Sequence, residues 1–311
     1  MITYCKFCLF PSTKPDLKFN KGICSACDHY FGRPKIDFEK RYKELLEIVE
    51  KFKNKSNSNW DCIIPSSGGK DSTYQAITMR NLGLNPLLVT ATTCDLSEYG
   101  RRNIENLKEI GFDTIEVSPS KVVRRKLNKI GLVKLGDISW PEHLSIFTIP
   151  VRIAVQLNIP LLIWGENSQN EYGGPEEDSD NNQLTRRWLE EFGGLLGLRK
   201  TDLVGLEGIT EKDLVVYDYP TDEQLKKTGI TGLFLGHYIP WDGLRNVLVA
   251  QSHGFKTIEQ NIETAFINYE NLDNYHTGIH DYFKFLKFGF SRATDVANLF
   301  IRRERISRTE A

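Results

Sequence analysis

The stretch Asp61-Cys62-Ile63-Ile64-Pro65-Ser66-Ser67-Gly68-Gly69-Lys70-Asp71-Ser72-Thr73 limits the possible folds of this chain more than any other. A β-type run from Cys62 to Ile64 breaks at Pro65, crosses two hydroxyls and two glycines, and re-enters a helical pattern at Asp71. A strand, a tight loop and a helix N-terminus in that order point backbone N–H groups at one spot, which is how a phosphate is held. Glycines at 68 and 69 remove the Cβ atoms that would keep an anion off the main chain, and the helix offers the positive end of its dipole. Ser67 and Ser72 add hydroxyl donors, and Lys70 adds a charge. The loop is not a Walker A loop, because no G-x-x-x-x-G-K-[ST] can be read and Lys70 is followed by Asp71. Nor is it a dinucleotide fingerprint, since G-x-G-x-x-G is absent.

From residue 61 onward strand and helix patterns alternate. The spacing predicts a helix over 71–82 ending at Gly83, a strand over 86–91, a helix over 97–110 ending at Gly111 and a strand over 114–117. A helix over 141–157 and a nearly all-apolar strand over 161–164 follow. Short strands separated by helices predict an α/β fold with a doubly wound parallel sheet and ligands at the C-terminal strand ends. The loop at 66–71 and the loop after Trp164 fall on that edge. Gly165 lets a phosphate approach, and Glu166 could ligate Mg²⁺, which takes a carboxylate together with phosphate oxygens. The acidic stretch at 175–182 is a candidate lid or substrate loop, or simply a solvated surface.

Four of the six cysteines are spaced as Cys5-x-x-Cys8 and Cys24-x-x-Cys27. In a cytosolic chain this spacing reads as a four-cysteine zinc knuckle, closed to chemistry and structural in role; two disulfides or a redox pair are the rival readings. An amphipathic helix over 37–55 and a polar connection lead into the first core strand. Beyond about 215 the composition turns aromatic, and the stripe in 275–290 reads as core packing. His276 and His280 are four apart but have no third ligand, so they read as core or substrate-facing residues. The expected organisation is a zinc knuckle at 1–34, a nucleotide domain at 35–215 and a mainly helical substrate or partner region at 216–311. The last eleven residues read as unbroken helix, as though the chain were truncated there.

With 311 residues and 40% hydrophobic content, the chain can bury a large core. Forty basic residues against 41 acidic ones leave a net charge of −1, which gives no general attraction for nucleic acid or an anionic membrane. There is no run of membrane-spanning length and no signal-peptide pattern, so no membrane insertion is expected and the cytoplasm is the expected compartment.

The run SGGKDS at 67–72 matches the pattern of PP-loop ATP pyrophosphatases (adenine nucleotide alpha hydrolase-like), which cleave ATP between its α and β phosphates. Together with the paired CxxC knuckles, IWGEN, EYGG, FLGHYIPWD and YHTGIHDYFKFLKFGFSRATD, it resembles the N-acetyl sugar amidotransferases of pseudaminic, legionaminic and lipopolysaccharide O-antigen sugar biosynthesis. The resemblance implies that Ser67, Gly68, Gly69 and Ser72 hold pyrophosphate and that Asp71 caps the helix or helps hold Mg²⁺. It also implies that Thr90, Ala91 and Thr92 meet the adenine of the nucleotide through backbone groups. Lys70, Asp71 and Glu166 are the implied catalytic residues, Gly165 borders the phosphates, and Asn167, Glu171 and Tyr172 are substrate candidates. In the implied reaction a sugar acetamido group becomes an acetamidino group through an O-adenylyl imidate attacked by ammonia. No glutaminase elbow is legible around Cys62 or Cys94, so a separate glutaminase, with a cyclase-like subunit, is the implied ammonia source. The competing expectations are a PP-loop tRNA thiolase and a zinc-ribbon adaptor with a degenerate nucleotide fold.

Overall fold

The computed structural model describes residues 2–32, 35–56, 58–93, 95–165, 195, 197–260, 262 and 264–311. Two short antiparallel strands, β1 (Phe19–Asn20) and β2 (Ile23–Cys24), are joined through Lys21 and Gly22, both at positive φ. Helix α1 (Ser25–Gly32) follows and completes the knuckle. Helix α2 (Phe38–Phe52) starts where the Asp37 carboxylate accepts the Lys40 N–H at 2.9 Å, an N-cap, and it buries Leu45, Val49 and Phe52 along one stripe.

Five strands form the sheet: β3 (Cys62–Pro65), β4 (Pro86–Ala91), β5 (Asp113–Val117), β6 (Leu161–Trp164) and β7 (Thr231–Phe234). Their order is β5-β4-β3-β6-β7, and every neighbouring pair is parallel. The crossovers carry α3 (Lys70–Asn81), α4 (Glu98–Glu109), α5 (Lys121–Leu135) and α6 (Trp140–Leu157). Successive strand residues face opposite sides, so both faces carry core. Cys62, Ile64, Leu88, Leu161, Ile163 and Leu233 pack with α2 and α3 on one side. Ile63, Leu87, Val89, Leu162, Trp164 and Phe234 pack under α6 on the other. That double covering is why the strands read as apolar runs, each fully buried Ile or Leu contributing about 1.5–3 kcal/mol. The chain leaves β3 toward β4 on one side and later returns to β6 on the other. The C-terminal ends of β3 and β6 are therefore the switch point at which such sheets open a crevice.

Two elements lie outside the sequence expectation. Helix α5 hides its apolar stripe, Val123, Leu127 and Ile130, among lysines and arginines. Strand β7 is only four residues long and follows α7 (Asp222–Thr228), a seven-residue crossover helix ending at Gly229 in the left-handed conformation. Its register, from Leu161 opposite Thr231 to Trp164 opposite Phe234, makes it the fifth strand, so the sheet extends past the boundary expected at 215.

The one-turn α8 (Leu235–Tyr238), then α9 (Gly243–Ser252), α10 (Thr277–Phe288) and α11 (Arg292–Arg302) complete the chain. Instead of continuing as helix to 311, the backbone leaves α11 at Arg302, passes Glu304 at φ 56° and returns to the knuckle, where the Arg308 Nε–H donates to the Cys8 carbonyl at 3.2 Å. The knuckle also packs Phe10 edge-on to Phe290 and donates the Leu9 N–H to Asn298 Oδ1 at 2.6 Å. The aromatic residues expected in the core divide: Tyr217, Phe234, Tyr238, Trp241 and Phe290 are buried, whereas most of the stretch at 275–288 lies on the surface. Tyr275, Ile279, Tyr282, Phe285 and Leu286 are exposed, whereas Asp281 is buried against Arg292.

Candidate active site

The loop after β3 is shaped by its own hydroxyls. The Ser66 N–H donates to the Val89 carbonyl at 2.9 Å, which ties the loop to β4, and the Gly68 N–H donates to Ser66 Oγ at 3.2 Å. The Ser72 hydroxyl donates back to the Gly69 carbonyl at 3.1 Å, and the Gly69 N–H reaches Ser67 Oγ at 3.3 Å. Gly68 sits at φ +78°, and a Cβ there would come within 2.8 Å of the Ile104 backbone nitrogen of α4. Glycine is required at 68 for both reasons, and Gly69 is the N-cap of α3. A cavity of about 90 Å³ opens on this loop, lined by Ser67 to Ser72 and, from the far end of the chain, by Tyr269 to Asp273.

Lys70 does not point freely into solvent. Its ammonium is buried between Asp71 Oδ2 at 2.6 Å and Glu270 Oε1 at 2.7 Å, beneath the Tyr269 ring. Burial alone would lower its pKa, but the two carboxylates outweigh that and hold it above the ordinary lysine range, so it stays charged. Asp71 is held from its other oxygen by the Asn246 amide of α9 at 2.7 Å. Asn246 is fully buried, and its Oδ1 has no partner among the described residues. Glu270 and Asn246 were not legible as site residues; each reaches the loop from far along the chain. Glu270→Gln is expected to weaken folding by about 1–3 kcal/mol in urea titrations, because a buried ammonium loses one charged partner.

Beside the loop, at the switch point, lies a cleft of about 360 Å³. Val89, Ala91, Phe147, Pro150, Trp164 and Trp241 give it apolar walls, and Ser66, Ser67, Asp71, Ser72 and Gln75 give it one polar side. Trp164 stacks on Phe147 with ring centroids 4.9 Å apart. Gln75 Oε1, Thr93 Oγ1 and Trp164 Nε1 are buried in residues lining this cleft, with no partner among the described residues, as befits a site built for a polar ligand. At Gly165 a Cβ would approach Gln75 Nε2 to 2.6 Å and the Trp241 ring to 3.1 Å, so a side chain there would crowd the strand end. Of the three candidates closing β4, Ala91 lines the cleft. Thr90 is buried, and the Thr92 hydroxyl is turned to the Val117 carbonyl and Ser118. Thr93, one residue later, also lines the cleft. Glu166, Asn167, Glu171, Tyr172 and Cys94 lie outside the described residues.

In the knuckle, Cys5, Cys8, Cys24 and Cys27 are all fully buried, with their sulfurs within 4.8 Å of one another. The Cys8–Cys24 and Cys5–Cys27 sulfur separations are 3.6 and 4.0 Å. Those are far too long for disulfides, and they bracket the roughly 3.8 Å edge of a tetrahedron with metal–sulfur bonds of about 2.3 Å. The four thiols fit a metal ion and leave it no open position. Cys62, by contrast, is sealed in the sheet core, where burial pushes its thiol well up, so it has no nucleophilic character.

A second polar cluster sits near the N-terminus of α6. Asp137 is buried, with Oδ1 2.9 Å from His280 Nδ1 and Oδ2 3.7 Å from His143 Nδ1. Burial pushes its carboxyl up, but the His280 hydrogen bond and the charges of both imidazoles prevail and hold it down to about 2. A depressed carboxyl stabilises the fold above its unfolded pKa, and that stability is lost as the pH falls from about 4 toward 2. Over that range the protein is expected to lose about 2 kcal/mol more in urea unfolding than Asp137→Asn does.

Compared with known proteins, residues 261–311 match the family described as "LPS biosynthesis protein WbpG-like, C-terminal domain". The match fits the family resemblance read from the sequence. No curated protein matches the chain. Among solved structures, a predicted subunit of a tRNA methyltransferase from Methanocaldococcus jannaschii is 14% identical with a TM-score of 0.35, over 74% of this chain and 88% of that one. NMN synthetase from Francisella tularensis is 12% identical with a TM-score of 0.32, over 73% of this chain and all of that one.

Proposed function

We propose, for a chain that carries a WbpG-like C-terminal domain of LPS biosynthesis proteins, that the glycine cradle and its cleft form the site of an ATP-dependent N-acetyl sugar amidotransferase. The observation that carries this reading is the Lys70–Glu270 pair: a residue of the matched C-terminal segment completes the pocket of the phosphate-type loop. The LPS-type segment and the nucleotide-type loop thus build one site, not two.

The chemistry requires ATP because an amide oxygen is a poor leaving group. The acetamido oxygen attacks the α-phosphorus, the bond to the β-phosphate oxygen breaks, and pyrophosphate leaves with the electron pair. On binding, the Gly68 and Gly69 N–H groups and the Ser72 hydroxyl turn from their partners within the loop to the phosphates and, with the Ser67 hydroxyl and the dipole of α3, stabilise the charge that develops on it. Lys70, kept charged by Asp71 and Glu270, adds a fixed positive charge beside the loop. Ammonia then attacks the imidate carbon and AMP departs. The apolar cleft walls keep water from the activated carbon, and Gly165 keeps the strand end open for the phosphates. Asp71 would hold Mg²⁺ with phosphate oxygens, and the ion would supply charge neutralisation on the triphosphate. Zinc suits the closed thiolate set in a structural role. A separate glutaminase with a cyclase-like subunit would deliver ammonia, and the reaction belongs in the cytoplasm, where ATP and activated sugars are available. Among the described residues no helix is long and apolar enough to cross a membrane.

The test is incubation with ATP, Mg²⁺, an ammonium salt and a panel of free and nucleotide-linked acetamido sugars. The expected products are AMP, pyrophosphate and one sugar with oxygen replaced by NH. Release of ADP, or AMP formation that depends on tRNA instead of a sugar, overturns the proposal, the latter in favour of a thiolase.

A further inference from the structure

We propose that α10 is the seam of a symmetric dimer, pairing antiparallel with the α10 of a second copy of this chain; the assignment goes beyond the amidotransferase reading and does not depend on it. A surface helix ordinarily turns its apolar stripe to the core, and α2 and α5 do so. Helix α10 is inverted. On its inner side Asp281 is buried and accepts from Arg292 Nε and Nη2 at 2.7 and 2.8 Å, and His280 Nδ1 lies 2.9 Å from Asp137 Oδ1. On its outer side Tyr275, just ahead of the helix, then Ile279, Tyr282, Phe285 and Leu286 keep between 43% and 61% of their exposure. The two-pronged Asp281–Arg292 pair fixes the rotation of the helix, so this stripe stays outward.

Tyr275, Ile279, Tyr282 and Leu286 follow one another at steps of four, three and four residues, the repeat that a seam between two helices requires. The glycines on the same stripe decide what covers it. A Cβ added at Gly278 or Gly289 would meet nothing within 4 Å, so the stripe carries two gaps among its large side chains. With a two-fold axis through Tyr282, antiparallel helices bring Gly278 opposite Leu286, Gly289 opposite Tyr275 and Ile279 opposite Phe285. Each gap then receives a large side chain of the other copy, the self-complementarity that a two-fold contact demands. The exposed Lys287 side chains fall ten residues apart, about 15 Å along the seam, where salt screens their repulsion. A parallel pair would set gap against gap and lysine against lysine, and a fluid lipid surface has no use for matched gaps. Five half-exposed side chains of this size bury about 500 Å² per copy, about 1,000 Å² in all, which reaches the lower bound for a specific interface.

The seam begins beside the candidate active site. Asp273 lines both the cradle pocket and the cleft, and two residues later the Tyr275 N–H donates to the Asp95 carbonyl, in the loop after β4, at 3.1 Å. In the antiparallel pair the C-terminal end of each α10 therefore lies next to the other copy's site.

Sedimentation velocity of the native protein over a range of concentrations is expected to reach the mass of two 35.7-kDa chains. Tyr282→Glu places two like charges face to face at the centre of the seam and should raise the dissociation constant by about 100-fold or more. Orientation is read by cross-linking in protein that also carries Cys94→Ser. A short bismaleimide should capture Tyr282→Cys as a dimer but not Tyr275→Cys, whose copies lie about 20 Å apart in the antiparallel pair. A dimer that Tyr282→Glu leaves intact, or equal capture at the two positions, overturns the proposal. So does native protein that stays monomeric; its flotation with phosphatidylglycerol vesicles would then assign the stripe to a membrane. Should Tyr282→Glu fail to fold, Leu286→Glu on the same exposed stripe decides the matter.

Discussion

Cys8→Ser is expected to leave the N-terminal knuckle without a fixed structure. The segment is too short for a core of its own beyond a few side chains such as Phe10 and Leu17, and its four buried thiols pack around the position of one ion. In such a site metal binding is folding free energy, about 10–16 kcal/mol, so one lost thiolate removes a large part of it. The effect should spread along known contacts. Phe290 packs on Phe10, Asn298 accepts from Leu9, and Arg308 donates to the Cys8 carbonyl, so the chain from 288 to 311 loses its support. Amide hydrogen exchange is expected to rise over 2–32 and 288–311 while β3 and β4 stay protected, and bound metal should drop from one ion per chain to none. A variant that keeps its metal and its native exchange pattern would contradict this picture.

The second large effect is at the cradle. Gly68→Ala should cost about 1–3 kcal/mol of stability, because its backbone lies in the left-handed region and the new Cβ would press on the Ile104 nitrogen. The loss of ATP affinity should be larger in consequence, about 100-fold, since a displacement of about 1 Å misaligns donors that must converge on one phosphate. Gly69→Ala provides the contrast. There φ is ordinary, and the new Cβ meets only the Ser67 hydroxyl at 3.2 Å, so it should be the milder variant in both thermal unfolding and ATP titration. Equal losses at the two glycines would mean that backbone conformation at 68 is not what shapes the loop.

The cradle was legible because its chemistry is local. Six consecutive residues between a strand and a helix carry the N–H groups, the hydroxyls and the two glycines. The knuckle was legible for the same reason, through ligand spacing. Residues that reach the loop from a distance were not. Asn246 lies 175 residues from Asp71, and nothing in its local pattern marks it. Glu270 sits in a polar stretch whose charge gives no hint that it ends beside a buried lysine. Strand β7 was missed because four residues carry too little period-2 signal, and α5 because its basic side chains mask the apolar stripe. The Thr92 hydroxyl bonds the neighbouring strand end, a partner that only the sheet order determines. The aromatic stripe of α10 was read as core from composition, and Tyr282, Phe285 and Leu286 on it are exposed.

The direct test of the central claim is the fate of the acetamido oxygen. A substrate sugar labelled with oxygen-18 in its acetamido group should, on turnover with ATP and ammonia, deliver the label into the phosphate of AMP and leave the amidine product without it. Label retained by the sugar, or found in inorganic phosphate or pyrophosphate, would contradict activation of that oxygen by adenylyl transfer at the cradle.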